Sequence, residues 1–98
     1  MTFQEWESHV VGHSKPDMDL NYAVIGICGE AGEIAEYHKK ANLRQRPDLV
    51  EPLIGELGDL LYYLTRATQL SGLTLEQVME HNKVKLDDRR SRGMAIVK

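Results

Sequence analysis

One cysteine, Cys28, stands among 98 residues, so an internal disulfide is excluded and a reducing cytoplasm is the expected location. No stretch of 18 apolar residues and no secretory leader appear, so neither membrane insertion nor export is expected. Net charge is −3 with both signs interspersed, which argues against a partner of the nucleic-acid polymer kind. No repeat, low-complexity tract or linker divides the chain, and its length suits one domain over residues 1–98. Familiar catalytic constellations are missing too. There is no Ser/His/Asp or Cys/His arrangement and no phosphate-cradling glycine loop. His9, His13, His38 and His81 read as unpaired singles. None follows Glu30, Glu33, Glu56 or Glu76 by three, so the Glu-x-x-His pattern of carboxylate-bridged di-iron bundles is absent.

What is present is helical periodicity. Thr2-x-x-Glu5 reads as a capping box opening a first helix with Phe3, Trp6 and Val10 on one side, ended by Gly12 to Pro16. A second helix is expected from about Asp19 to Asn42, its stripe formed by Leu20, Ala23, Ile27, Ala31, Ile34, His38 and Ala41. After a loop from Leu43 to Pro47, Asp48-x-x-Glu51 caps a third helix that runs to Ser71 before Gly72, with Val50, Leu53, Leu57, Leu60, Leu61 and Leu64 as its stripe. Thr74-x-x-Gln77 opens a fourth, through Leu75, Val78, Met79 and Leu86 to about Arg90. The expected architecture is an all-α antiparallel bundle of about four helices. Two helices of about 24 residues would each run roughly 36 Å, long for so small a core. Association through helix packing into a homodimer or homotetramer is therefore expected.

Two carboxylate pairs dominate the chemistry: Glu30-x-x-Glu33 and Glu56-x-x-Asp59. Residues three apart share one side of a helix. At 100° per residue, both pairs lie off their apolar stripes in the same rotational sense, so antiparallel packing brings them to one side. The levels agree as well. Counting from Gln45, Glu33 is 12 back and Glu56 is 11 forward, while Glu30 is 15 back and Asp59 is 14 forward. Four meeting carboxylates would repel by roughly 4 kcal/mol per close pair at an effective dielectric near 20, a penalty that a divalent cation removes. Hard oxygen donors select Mg²⁺, Mn²⁺ or Ca²⁺. Mg²⁺ held this way commonly takes substrate phosphates as further ligands, which points to phosphoanhydride hydrolysis.

The same face continues to Tyr37 and Tyr63, with Gly26 at the level of Tyr63. Glu36 points away and reads as solvated. Gly26, Gly29, Gly32, Gly55 and Gly58 each cost about 1 kcal/mol against alanine; they serve close helix approach or room for a ligand. Cations gather at helix ends, Lys39, Lys40, Arg44 and Arg46 on one side and Lys85, Arg89, Arg90 and Arg92 on the other. Asn82 falls within the last helix's apolar stripe, where an amide needs a partner. His38 and Cys28 read as core or boundary groups.

Gly29-Glu30-Ala31-Gly32-Glu33, followed by Gly55-Glu56-Leu57-Gly58-Asp59-Leu60 and by Asn82-x-x-Lys85-Leu86-x-x-Arg89 with Arg92-Gly93, resembles the MazG-like all-α nucleoside triphosphate pyrophosphohydrolases. The resemblance covers about residues 20–93. It implies Mg²⁺-dependent cleavage of nucleoside triphosphates between the α- and β-phosphates, with Mn²⁺ as a substitute ion, in dimers or tetramers. It also implies Glu30, Glu33, Glu56 and Asp59 as catalytic metal ligands. Lys40, Tyr63, Asn82, Lys85, Arg89 and Arg92 become substrate contacts, and Trp6 either stacks on the base or belongs to the core. Gly29 replaces the first glutamate of the Glu-Glu-x-x-Glu pattern common in the family, as in members resembling dCTP pyrophosphatases. Met94 to Lys98 replaces its glycine-rich tail. Two rival readings are a phosphoribosyl-ATP pyrophosphatase, which typically lacks the Asn-x-x-Lys element, and a non-catalytic metal-binding helical oligomer.

Overall fold

The computed structural model describes residues 1–41 and 50–93, and of residues 40, 41, 50 and 51 only the backbone. The described residues form four helices and no strand: α1 (Phe3–His13), α2 (Leu20–Ala41), α3 (Val50–Leu70) and α4 (Leu75–Ser91). The fold is all-α.

Local chemistry sets the boundaries. Glu5 N donates to Thr2 Oγ1 at 3.1 Å and Thr2 N donates to Glu5 Oε1 at 2.9 Å, closing the box that starts α1. These bonds hold the Glu5 carboxyl below the usual carboxylate range. Asp19 Oδ1 accepts from Tyr22 N at 2.8 Å at the start of α2. At the end of α3, Gly72 adopts φ +76°, and Leu73 N donates back to the Thr68 carbonyl at 3.0 Å, a glycine-terminated helix end. Thr74 and Gln77 repeat the reciprocal box at α4. The boxes at Thr2 and Thr74 and the stop at Gly72 lie where the sequence places them. Arg44, Arg46, the Asp48-x-x-Glu51 cap and the 43–47 loop fall outside the described residues.

α2 and α3 pack antiparallel, Gly26 facing Tyr63 and Glu33 meeting Glu56. A Cβ built on Gly26 would lie 2.6 Å from Tyr63 Cε1 and 2.7 Å from Cγ, so the ring occupies the space that the missing side chain leaves. The other glycines of these helices, Gly29, Gly32, Gly55 and Gly58, face open space. Close approach therefore accounts for Gly26 alone.

α1 lies against α3 through polar anchors as much as apolar ones. Trp6 Nε1 donates to Thr65 Oγ1 at 2.8 Å, and Gln69 Nε2 donates to the Glu7 carbonyl at 2.9 Å. Glu7 Oε2 also accepts from Leu75 N at 3.3 Å, linking the start of α4 to the same point. Thr65 is fully buried, so the indole N–H has lost water as an alternative partner. Thr65→Val should destabilise the fold by about 1–3 kcal/mol. Because Trp6 is the lone tryptophan, thermal melts followed by its fluorescence report both the loss and the altered indole environment. An unchanged melting curve would remove this bond from the account.

The core differs from the expected stripes. Among the described residues, the buried ones are Val10, Met18, Ala23, Thr65, Thr68 and Leu75. Leu57, Leu61 and Leu64 of α3 are exposed, as are Leu20 and His38 of α2 and Cys28. The physical reason is that α2 and α3 meet over small side chains, Ala23 and Gly26, while α1 and α4 leave much of the α3 stripe uncovered. Ile54 and Leu57 retain 62% and 48% of their accessible surface. The Cα radius of gyration is 15.9 Å, against about 13 Å for a compact domain of 100 residues.

Candidate active site

The site lies on the α2–α3 hairpin. Glu30, Glu33 and Glu56 each present a carboxylate oxygen, and the three oxygens lie within 4.8 Å of one another. Glu30 and Glu56 are half-buried and Glu33 is exposed. Glu30 Oε2 and Glu56 Oε2 are shielded from solvent yet have no hydrogen-bond partner. An unpaired buried carboxylate oxygen is costly, and two side by side are more so. Asp59 stands just outside the triad, but its charge acts on both Glu30 and Glu56.

Electrostatics follow from this crowding. Partial burial, then repulsion by Glu33 and Asp59, pushes the Glu30 carboxyl above its ordinary range; Glu56 is raised by the same causes. A bound cation would supply the missing partner for both orphaned oxygens, and an all-oxygen donor set suits a hard divalent ion. Protons compete for those oxygens. With folded-state pKa values raised, the ion-free chain gains stability as pH falls from neutral toward the usual carboxylate range, while cation affinity falls over the same interval. The rise in melting temperature on adding Mg²⁺ should therefore be largest near pH 7 and shrink toward about pH 5. An Mg²⁺ effect of equal size at both pH values would contradict this.

Beside the carboxylates opens a cleft of about 430 Å³, lined by His9, His13, Glu30, Asp59, Tyr62 and Tyr63. Tyr63, half-buried over Gly26, meets Tyr62 edge-on at 5.2 Å and lies 6.4 Å from the Tyr22 ring. Its hydroxyl is pushed above the usual tyrosine range, first by burial and then by Tyr22, so it is a neutral donor at physiological pH.

The remaining expected site residues stand elsewhere. Trp6 is half-buried between α1 and α3 and lines an apolar groove with Phe3, Leu61, Leu64, Val78 and Met79, not the carboxylate cleft. Asn82 and Lys85 are exposed on α4 and Arg89 is half-buried there. Arg92 at its end pairs with Asp88 at 2.7 Å. Asn82 is thus no core amide, and among the described residues none from α4 lines the cleft beside Glu30 and Asp59. The Lys40 side chain lies outside the described residues. Besides Tyr62, sequence reasoning passed over two lining groups, His9 and His13. Their spacing from Trp6, three and seven residues, puts all three rings on one face of α1, and that period was the available signal.

An acidic cleft on an antiparallel helical pair offers the all-oxygen donor set that suits a hard divalent cation and, through it, phosphate oxygens. The comparison with known proteins agrees: residues 21–94 match the MazG nucleotide pyrophosphohydrolase domain, and the chain belongs to that family. It is also similar to the Gene 37 protein of Mycobacterium phage L5, 35% identical over 80 residues, covering 76% of this chain and 69% of the phage protein. No solved structure gives a significant match. Among the described residues no helix is long and apolar enough to cross a membrane.

Proposed function

We propose that the chain, as a single domain, hydrolyses nucleoside and deoxynucleoside triphosphates between the α- and β-phosphates. Water is consumed, and a nucleoside monophosphate and pyrophosphate are released. The observation that carries this reading is the pair of orphaned buried oxygens, Glu30 Oε2 and Glu56 Oε2, set beside a third carboxylate at the edge of an open cleft. Glu30, Glu33, Glu56 and Asp59 would hold Mg²⁺, or Mn²⁺ in its place. When bound, the ion neutralises phosphate oxygens and the charge that develops during in-line displacement. Tyr63 donates its hydroxyl to the substrate beside Glu30.

Asn82, Lys85, Arg89 and Arg92, with Lys40, bind the outer phosphates. Since α4 stands away from the carboxylates of its own chain, these contacts are made within a homodimer or homotetramer. The exposed apolar row Ile54, Leu57, Leu61 and Leu64 on α3 supports such an assembly. Leu57→Glu with Leu61→Glu should shift sedimentation equilibrium toward monomer. The role suited to this activity is control or cleansing of a cytoplasmic nucleotide pool.

The test is product analysis across normal and modified nucleoside triphosphates with Mg²⁺ or Mn²⁺, phosphoribosyl-ATP included. Monophosphate and pyrophosphate in equal amounts are expected. Release of orthophosphate and a diphosphate would overturn the assigned bond, and turnover confined to phosphoribosyl-ATP would favour that rival substrate.

A further inference from the structure

We propose that His9 and His13 form the wall on which the planar heterocycle of the nucleotide rests, and that they, not Trp6, determine how well each base is held. The inference builds on the pyrophosphohydrolase reading and concerns a part of the site which that reading leaves unassigned. Trp6, His9 and His13 form a ladder along α1: the Trp6 and His9 rings lie 5.3 Å apart at 29°, and the His9 and His13 rings 4.3 Å apart at 39°. Trp6 forms the half-buried foot of this ladder, its N–H committed to Thr65. His9 and His13 are exposed and line the cleft with Glu30 and Asp59.

Three observations favour a heteroaromatic group here over a phosphate. Among the described residues the cleft lining contains no lysine or arginine, and its two carboxylates repel any anion not already neutralised. Its volume, about 430 Å³, falls within the range of small-molecule sites. The far histidine is also fixed in place. Tyr62 Oη donates to the His13 carbonyl at 3.2 Å and lies 2.9 Å from Ser14 Oγ. His13 Nδ1 lies 3.0 Å from the His9 carbonyl oxygen. A carbonyl only accepts, so Nδ1 is the donor in this contact and Nε2 is left to meet a base edge. Stacking tolerates many bases, whereas a ring nitrogen at the edge discriminates among them.

The experiment compares parent, His9→Ala, His13→Ala and the corresponding Phe variants. It measures KM and kcat for the four deoxynucleoside triphosphates, and inhibition by inorganic tripolyphosphate, all with Mg²⁺. Each Ala variant should raise KM by about tenfold, within the range for loss of a base–aromatic stack. The variants should leave kcat within about twofold and leave tripolyphosphate inhibition unchanged, since that ligand has no base. His9→Phe should restore affinity, and His13→Phe should restore it while flattening the preference among bases. Unchanged KM values would overturn the proposal. So would tripolyphosphate inhibition weakened by the same factor, which would make these histidines phosphate contacts. If the parent releases no pyrophosphate from any nucleotide, the hydrolase reading fails separately. Titration with deoxynucleoside monophosphates, followed by the His9 and His13 ring proton signals, then decides the matter: shifted signals uphold the wall, and unmoved ones reject it.

Discussion

Glu56→Gln should lower Mg²⁺-dependent pyrophosphate release by at least about a hundredfold, the scale on which removal of one charge-stabilising group acts in an active site. The substitution keeps shape and volume but removes the charge and one ligand oxygen. Glu56 Oε2 is buried without a partner, so in the ion-free protein an amide there relieves repulsion from Glu33 and Asp59. The variant should therefore melt at the same temperature as the ion-free parent or higher, while losing the stabilisation that Mg²⁺ gives the parent. Activity and stability move in opposite directions, which separates a lost ligand from a damaged fold. A metal-binding oligomer without catalysis would show background turnover in both proteins. A variant that keeps full activity would remove Glu56 from the site.

Gly26→Ala should destabilise the protein by about 1–3 kcal/mol, the usual cost of overpacking, despite a helix propensity gain of about 1 kcal/mol. The sign is decided by Tyr63. A new Cβ would sit 2.6 Å from Cε1 and 2.7 Å from Cγ, distances that no rotation of a ring wedged between two helices relieves cheaply. The ring must shift toward the cleft or the helices must part, and either change displaces Glu30 relative to Asp59. Activity should fall along with the melting temperature. Gly29→Ala, facing open space, is the control and should keep the fold at least as stable. If Gly26→Ala melts higher than the parent, the helices are not held at this spacing by Tyr63.

The hairpin register was legible before any coordinates. Counts from Gln45 that agree to within one residue set Glu33 against Glu56, and the same arithmetic set Gly26 beside Tyr63; both pairs meet. Capping boxes were equally readable because they are local chemistry, complete within four residues. Burial was not. The α3 stripe tells which side chains share a face, but what covers that face depends on neighbours, and a helix period carries no information about them. For the same reason His38 reads as a core group and Cys28 as a core or boundary one, yet both are exposed. The histidine side of the cleft required knowing how α1 crosses α3. That crossing rests on bonds such as Trp6 to Thr65 and Tyr62 to Ser14, between residues 59 and 48 positions apart, which leave no pattern in the chain.

The bonds that fasten α1 run to α3 and to the first residue of α4, at Thr65, Tyr62, Gln69 and Leu75. The acidic hairpin is built from α2 and α3 without them. If the proposed site is right, grip on the ion and grip on the organic end of a nucleotide are separable properties of this molecule. On the proposed reading, weakening the α1 anchors should leave magnesium uptake in place while discrimination among nucleotides is lost.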